Sequence, residues 1–146
     1  MPPRALLVDL DTGRRSLLAA ALGAVAHVDA PEDFASAHRC LSTTRYDLLA
    51  TNIRLAAYNG LHLVYIARLS QTRCVVYAED EDLFLARLAQ AAGAFYEHCG
   101  RVAFALPRYP IVELPSSDRR DPAVVDRRSP AIFRGGRRCA DLVSVV

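Results

Sequence analysis

Apolar runs and polar breaks alternate along residues 4–106, at spacings that suit strands and helices in turn. "RALLVDLD" (4–11) is a short apolar run ending in acids, the pattern of a buried strand. In "TGRRSLLAAALGAV", Leu17, Leu18, Ala21 and Leu22 fall on one helical face, with Thr12 the expected cap and Gly23 the stop. "VAHVDA" (25–30) reads as a second strand, and "PEDFASAHRCLSTT" as a helix started by Pro31 and two acids. "YDLLATN" (46–52) is a third strand, and "GLHLVYIARLS" (60–70) has helical periodicity. "RCVVYA" (73–78) is a fourth strand, and "EDEDLFLARLAQAAG" a helix opened by acids that its dipole favours. "AFYEHC" (94–99) is a fifth strand, followed by a last helix over 101–109 that Pro107 interrupts.

Five strands alternating with five helices predict an α/β domain: a five-stranded parallel sheet with helices on both faces. A site in such a sheet lies at the carboxyl ends of the strands, near the switch in strand order. Those ends carry Asp9, Leu10, Asp11, Asn52, Tyr77, Ala78, Cys99 and Gly100. From Pro107 the periodicity fades and prolines and paired arginines take over. The expected division is a domain over 1–108 and a Pro/Arg-rich tail over 109–146, extended or disordered.

Composition narrows the classes. The chain has 146 residues, 52% hydrophobic and 23% charged, enough apolar material for one core. A net charge of +2 does not point to a nucleic-acid or membrane partner. Every basic residue is arginine, so any mechanism that needs a lysine ammonium is excluded. Residues 107–146 hold eight arginines against five acids. The cysteines Cys40, Cys74, Cys99 and Cys139 form no CxxC pair, which argues against a zinc site or a redox pair. The N-terminus lacks the apolar length of a signal peptide, and no stretch reaches the ~20 apolar residues of a membrane span. A cytoplasmic protein is expected. His27, His38, His62 and His98 are scattered over different elements, and the acids at 79–82 read as a solvated helix start.

Several stretches together resemble the receiver domain of bacterial two-component response regulators. They are "LLVD" ending the first strand, Arg15 in the first helix, "YDLLATN", Asn59-Gly60 seven residues after Asn52, "VVYAED" and "AAGAFYEH". The resemblance covers about residues 4–106 and implies a flavodoxin-like fold of receiver type. It also implies a site: two acids holding Mg²⁺, an aspartate that accepts a phosphoryl group, a Thr or Ser, and a lysine. Such chemistry needs hard oxygen ligands, an anionic nucleophile and fixed positive charge.

This sequence departs from that set at most positions. Asp9 matches the first acid, Leu10 brings no oxygen at the second, and Asp11 lies one residue on. Asn52 stands at the acceptor, Tyr77 at the Thr/Ser, and Cys99 or Gly100 near the lysine. An amide is uncharged and a poor nucleophile. The reading is therefore a degenerate receiver with no catalytic residue, no metal and no cofactor, in which Mg²⁺ binding is not expected. It would serve as a protein-interaction module for a protein partner or a second copy, with no direct DNA binding. The resemblance places a candidate interface at Leu83, Phe84 and Leu88.

Two alternatives stand beside it. One is a sensor that grips a phosphate-containing cyclic dinucleotide through the tail arginines Arg119, Arg120, Arg127, Arg128, Arg137 and Arg138. The other is a phosphorelay receiver in which Asp9 or Asp11 takes over the chemistry.

Overall fold

A computed structural model describes residues 1–79, 82–111 and 118. Its elements are β1 (Arg4–Val8), α1 (Thr12–Gly23), β2 (His27–Asp29), α2 (Phe34–Thr43), β3 (Leu48–Asn52), β4 (Arg54–Leu55) and β5 (Tyr58–Asn59). Then follow α3 (Leu61–Arg68), β6 (Arg73–Ala78), α4 (Leu83–Ala91), β7 (Phe95–His98), α5 (Cys99–Ala105) and a 3-10 turn at Leu106–Arg108. Five of the strands form one sheet in the order β2-β1-β3-β6-β7, every pair parallel. The predicted architecture is thus present, with the switch in strand order between β1 and β3.

Along β1 the side chains alternate between two cores. Ala5 and Leu7 join Leu18 and Leu22 of α1, Val102 and Ala105 of α5, and Leu106 and Tyr109. Leu6 and Val8 join Ala37 of α2, Leu63, Val64 and Ala67 of α3, and Ala89 of α4. A strand buried on both faces has no polar side to show, which is why β1 and β6 read as unbroken apolar runs.

Several boundaries differ from the pattern. The helix cap is Asp11, not Thr12: its extended backbone lets the carboxylate accept the Arg14 N–H, and Thr12 is already helical. Of the acids expected to open α4, Asp82 stands at its start. Asp82 caps it by accepting the Phe84 and Leu85 N–H groups, and the first turn holds no acid. The fifth strand ends at His98, whose ring Nδ1 accepts the Gly100 N–H at 2.9 Å. Cys99 therefore starts α5 instead of closing the strand.

Between Asn52 and α3 the chain makes a small hairpin, in which β4 pairs antiparallel with β5. Ala56, at φ 54, supplies the left-handed turn residue that two-residue hairpins favour. No glycine or asparagine marks that turn in the sequence.

Packing runs past Arg108. Tyr109 is fully buried, lies edge-on to Phe95 at 5.3 Å between ring centroids, and donates its hydroxyl to Glu97 Oε2 at 2.8 Å. Farther on, Asp118 is buried, and its Oδ2 accepts the Tyr96 N–H from the edge strand β7 at 3.1 Å. The paired arginines Arg119, Arg120, Arg127, Arg128, Arg137 and Arg138 lie outside the described residues. Of the candidate interface, Leu83 and Phe84 are exposed, whereas Leu88 packs against the core.

Candidate functional site

The carboxyl ends of β1, β3 and β6 meet at Asp9, Asn52 and Tyr77. Parallel register sets this: Val8 lies opposite Thr51, and Asn52 opposite Tyr77. Asp9 is 1% exposed and Asn52 5%, so both polar side chains are removed from water and need partners.

Asp9 has them in full. Its Oδ2 accepts from Arg14 Nε at 2.6 Å and from the Tyr77 hydroxyl at 2.8 Å. Its Oδ1 accepts from the Asp11 N–H at 2.9 Å and from an Arg14 terminal nitrogen, NH2, at 3.3 Å. The guanidinium thus grips the carboxylate side-on with two nitrogens. Four donors saturate the lone-pair directions that a carboxylate offers. The Asp9 backbone carbonyl accepts from an Arg15 terminal nitrogen, NH1, at 3.0 Å.

Arg14 is the residue that the sequence pattern did not single out. It stands three positions after the capping Asp11, and side chains on a helix lean back toward the N-terminus. From there the guanidinium reaches the end of β1. Its remaining terminal nitrogen, NH1, meets Glu79 Oε1 at 2.7 Å, just past β6. A cation in a first helical turn works against the helix dipole. Two carboxylates facing one guanidinium offset that cost here. Its hydrogen bond to Asp9, and then that to Glu79, hold the Arg14 pKa above its ordinary value. The signal was present as acid-x-acid-x-x-arginine across the strand end, a spacing that places cation and carboxylate face to face.

The other site residues are committed elsewhere. Asn52 Oδ1 accepts the Arg54 N–H at 2.9 Å and so starts the hairpin. Asp11 is spent on its cap, and the Arg14 N–H lowers its pKa. Leu10 points outward at 36% exposure. Tyr77 is fully buried in the α1/α5 core, and burial, followed by the adjacent Asp9 charge, raises its pKa well above the ordinary phenol value. Cys99 lies within electrostatic range of Arg14, Glu79 and Asp9, and burial pushes its thiol up to about 11. Gly100 presents its N–H to the His98 ring.

A divalent cation needs several free hard oxygens. This donor set does not suit one. Both Asp9 oxygens face protein donors, Asp11 caps a helix, Leu10 has no ligand atom and Asn52 Oδ1 is bonded. Among the described residues no three His, Cys, Asp or Glu side chains converge on a metal position.

No protein family profile matches the chain, and no curated protein matches it by sequence. Solved structures do match by shape. The receiver domain of Francisella response regulator 1452 superposes with a TM-score of 0.67 at 17% identity, over 75% of this chain and 94% of that one. Chemotaxis response regulator CheY4 of Vibrio cholerae gives 0.63 at 17%, over 75% of this chain and 99% of that one. The signal receiver domain of an HD domain-containing protein from Pseudomonas fluorescens Pf-5 gives 0.63 at 21%, over 75% and 94%. With the strand order 2-1-3-6-7 and helices on both faces, these likenesses show that the chain has the receiver fold of response regulators.

Proposed function

We propose that this chain is a pseudo-receiver: a signalling module of two-component type that keeps the receiver's surfaces and has given up phosphoryl transfer. The observation that carries this is Asn52. At the end of β3, where the fold presents its acceptor, stands an uncharged amide whose oxygen is already bonded to the Arg54 N–H. An amide offers no anionic oxygen for attack on phosphorus. The surroundings support the same reading. No lysine exists anywhere in the chain, and Tyr77 fills the hydroxyl position with a buried ring.

The alternative acceptors fare no better. Asp9 would have to release Arg14 and Tyr77 before either oxygen reached a phosphoryl donor. Asp11 would have to give up the cap of α1. The module would therefore act by binding a protein partner or a second copy. Exposed Leu83 and Phe84 at the start of α4 provide apolar contact area for that. Among the described residues no helix is long and apolar enough to cross a membrane.

The test is incubation of the full chain with Mg²⁺ and acetyl phosphate, read by intact mass, alongside amide NMR with Mg²⁺ and beryllofluoride. An unchanged mass and unmoved signals at residues 9–11, 52 and 77 are expected. A phosphorylated product, or saturable shifts at those residues, would overturn the proposal.

A further inference from the structure

The poor fit of this pocket to a metal has a second side: a positive charge is already there. We infer that Arg14 is the resident cation of the site, tying β1 to the segment after β6 as a covalent part of the chain. This rests on the receiver reading, because that reading is what makes a cation at the strand ends expected at all.

The geometry supports the substitution at each contact. A cation serving this pocket must neutralise a carboxylate that is 1% exposed. Arg14 does so with two nitrogens, at 2.6 and 3.3 Å. It also reaches across the sheet. Arg14 joins Asp9 after β1 to Glu79 after β6, two strands that β3 separates. The guanidinium is itself only partly exposed, at 20% of its side chain, so the pair with Asp9 is shielded from bulk water. Its bond to Glu79, 66% exposed on that partner, is weaker and more easily broken. A divalent ion would add +2 and demand free oxygens, whereas Arg14 adds +1 and brings its own donors. Because it is tethered, its occupancy does not depend on the metal concentration around it.

Removing Arg14 leaves Asp9 charged and buried with only the Tyr77 hydroxyl and the Asp11 N–H. Such a charge is costly, and a small dication is then its best available partner. Three full-length proteins decide the matter: wild type, Arg14→Met, which keeps the aliphatic stem, and Arg14→Met with Asp9→Asn. Mn²⁺ is titrated against each, and its paramagnetic broadening is read at the amides of residues 9–11 and 79. Wild type should show no site-specific broadening. Arg14→Met should show saturable broadening at these amides, at Mn²⁺ concentrations that leave wild type unaffected. The double variant should lose that response.

Unfolding midpoints give the second readout. Arg14→Met should be the least stable of the three, and adding Asp9→Asn should restore much of the loss, because it removes the stranded charge. That reversal stands even if Arg14→Met proves too unstable to titrate. Broadening in wild type at these residues would overturn the inference, as would a double variant less stable than Arg14→Met. Mn²⁺ binding by wild type without phosphoryl uptake would sink this inference alone. Phosphoryl uptake would sink the pseudo-receiver reading instead.

Discussion

The hydroxyl of Tyr77 reaches across β3 to donate to Asp9 Oδ2 at 2.8 Å, with both residues essentially out of water. This bond joins the α1/α5 core directly to the polar cluster at the strand ends. Its acceptor is charged, so the bond belongs to the stronger class. Tyr77→Phe keeps the ring and removes only the oxygen. Arg14 and the Asp11 N–H remain on Asp9, so the carboxylate is under-served but not orphaned. We expect a loss of about 2 kcal/mol in denaturant unfolding, with an unchanged m-value. A variant as stable as wild type would show that Arg14 and the Asp11 N–H satisfy Asp9 without the hydroxyl.

Restoring a carboxylate at the acceptor tests how much of the site is missing. Asn52→Asp is the mildest change available, because an aspartate oxygen can still accept the Arg54 N–H. It leaves Arg14 on Asp9, Tyr77 in its buried position and no lysine in the chain. The Arg14 charge is held by Asp9 and Glu79, and no lysine is present to stabilise a transferring phosphoryl group. We expect no mass gain from acetyl phosphate with Mg²⁺. Phosphorylation of this variant would mean that a single amide separates the protein from a working receiver.

The fold was legible because its strands announce themselves. The runs "ALLV", "LLAT" and "CVVY" are buried on both faces, and only a parallel sheet with two helical layers accounts for that. The polar ends of those strands marked Asp9, Asn52 and Tyr77 as neighbours, and the register puts them there. Less legible was what these residues do to one another. Arg14 lies on a different element from Asp9 in the pattern, and its role depends on where Asp11 caps the helix. Arg14 meets the Asp9 carboxylate and Arg15 the Asp9 backbone carbonyl, a division that periodicity does not carry. The β4–β5 hairpin was hidden for a related reason. Its turn is Ala56-Ala57, and the pairing of Arg54 with Asn59 leaves no composition signal. Boundaries held by single caps, such as His98 on Gly100, are likewise settled by local geometry that periodicity does not carry.

Gly60 is fixed by a close approach, not by backbone torsion, since its φ of −56 is open to any residue. A Cβ built there would stand 2.3 Å from the Asn52 carbonyl oxygen and 2.9 Å from Thr51 Oγ1. Both belong to the end of β3, so the strand would have to move away from α3. The Gly60 N–H bond to the Ile53 carbonyl, at 2.8 Å, would be disturbed as well. Gly60→Ala should cost about 1–3 kcal/mol, the usual range for overpacking. The accompanying amide shifts should centre on residues 51–53. Calorimetry and an amide spectrum check both parts. An alanine accommodated at no cost would show that the β3–α3 junction is loose.

Acid should weaken the β1–β2 edge through Asp29. Its Oδ2 accepts the Tyr46 hydroxyl at 2.6 Å and an Arg4 terminal nitrogen at 3.0 Å. The Tyr46 bond first, and Arg4 after it, lower the Asp29 pKa from its ordinary 3.8. A carboxyl whose folded pKa is depressed stabilises the fold fully above its unfolded value. That contribution is lost as pH falls from the unfolded value through the lower folded one. Asp29→Asn removes the charge but keeps an oxygen that can accept from Tyr46. The variant should therefore be less stable than wild type at pH 7, and the gap should close on acidification below the ordinary carboxylate range. The two caps Asp11 and Asp33, whose pKa values are lowered by the N–H groups of Arg14 and Ser36, keep titrating in both proteins. The variant thus retains part of the acid limb. Unfolding midpoints measured from pH 7 down to pH 2.5 test this directly. A gap that stays constant with pH would assign the stability of this edge to the neutral hydrogen bond and not to the charge.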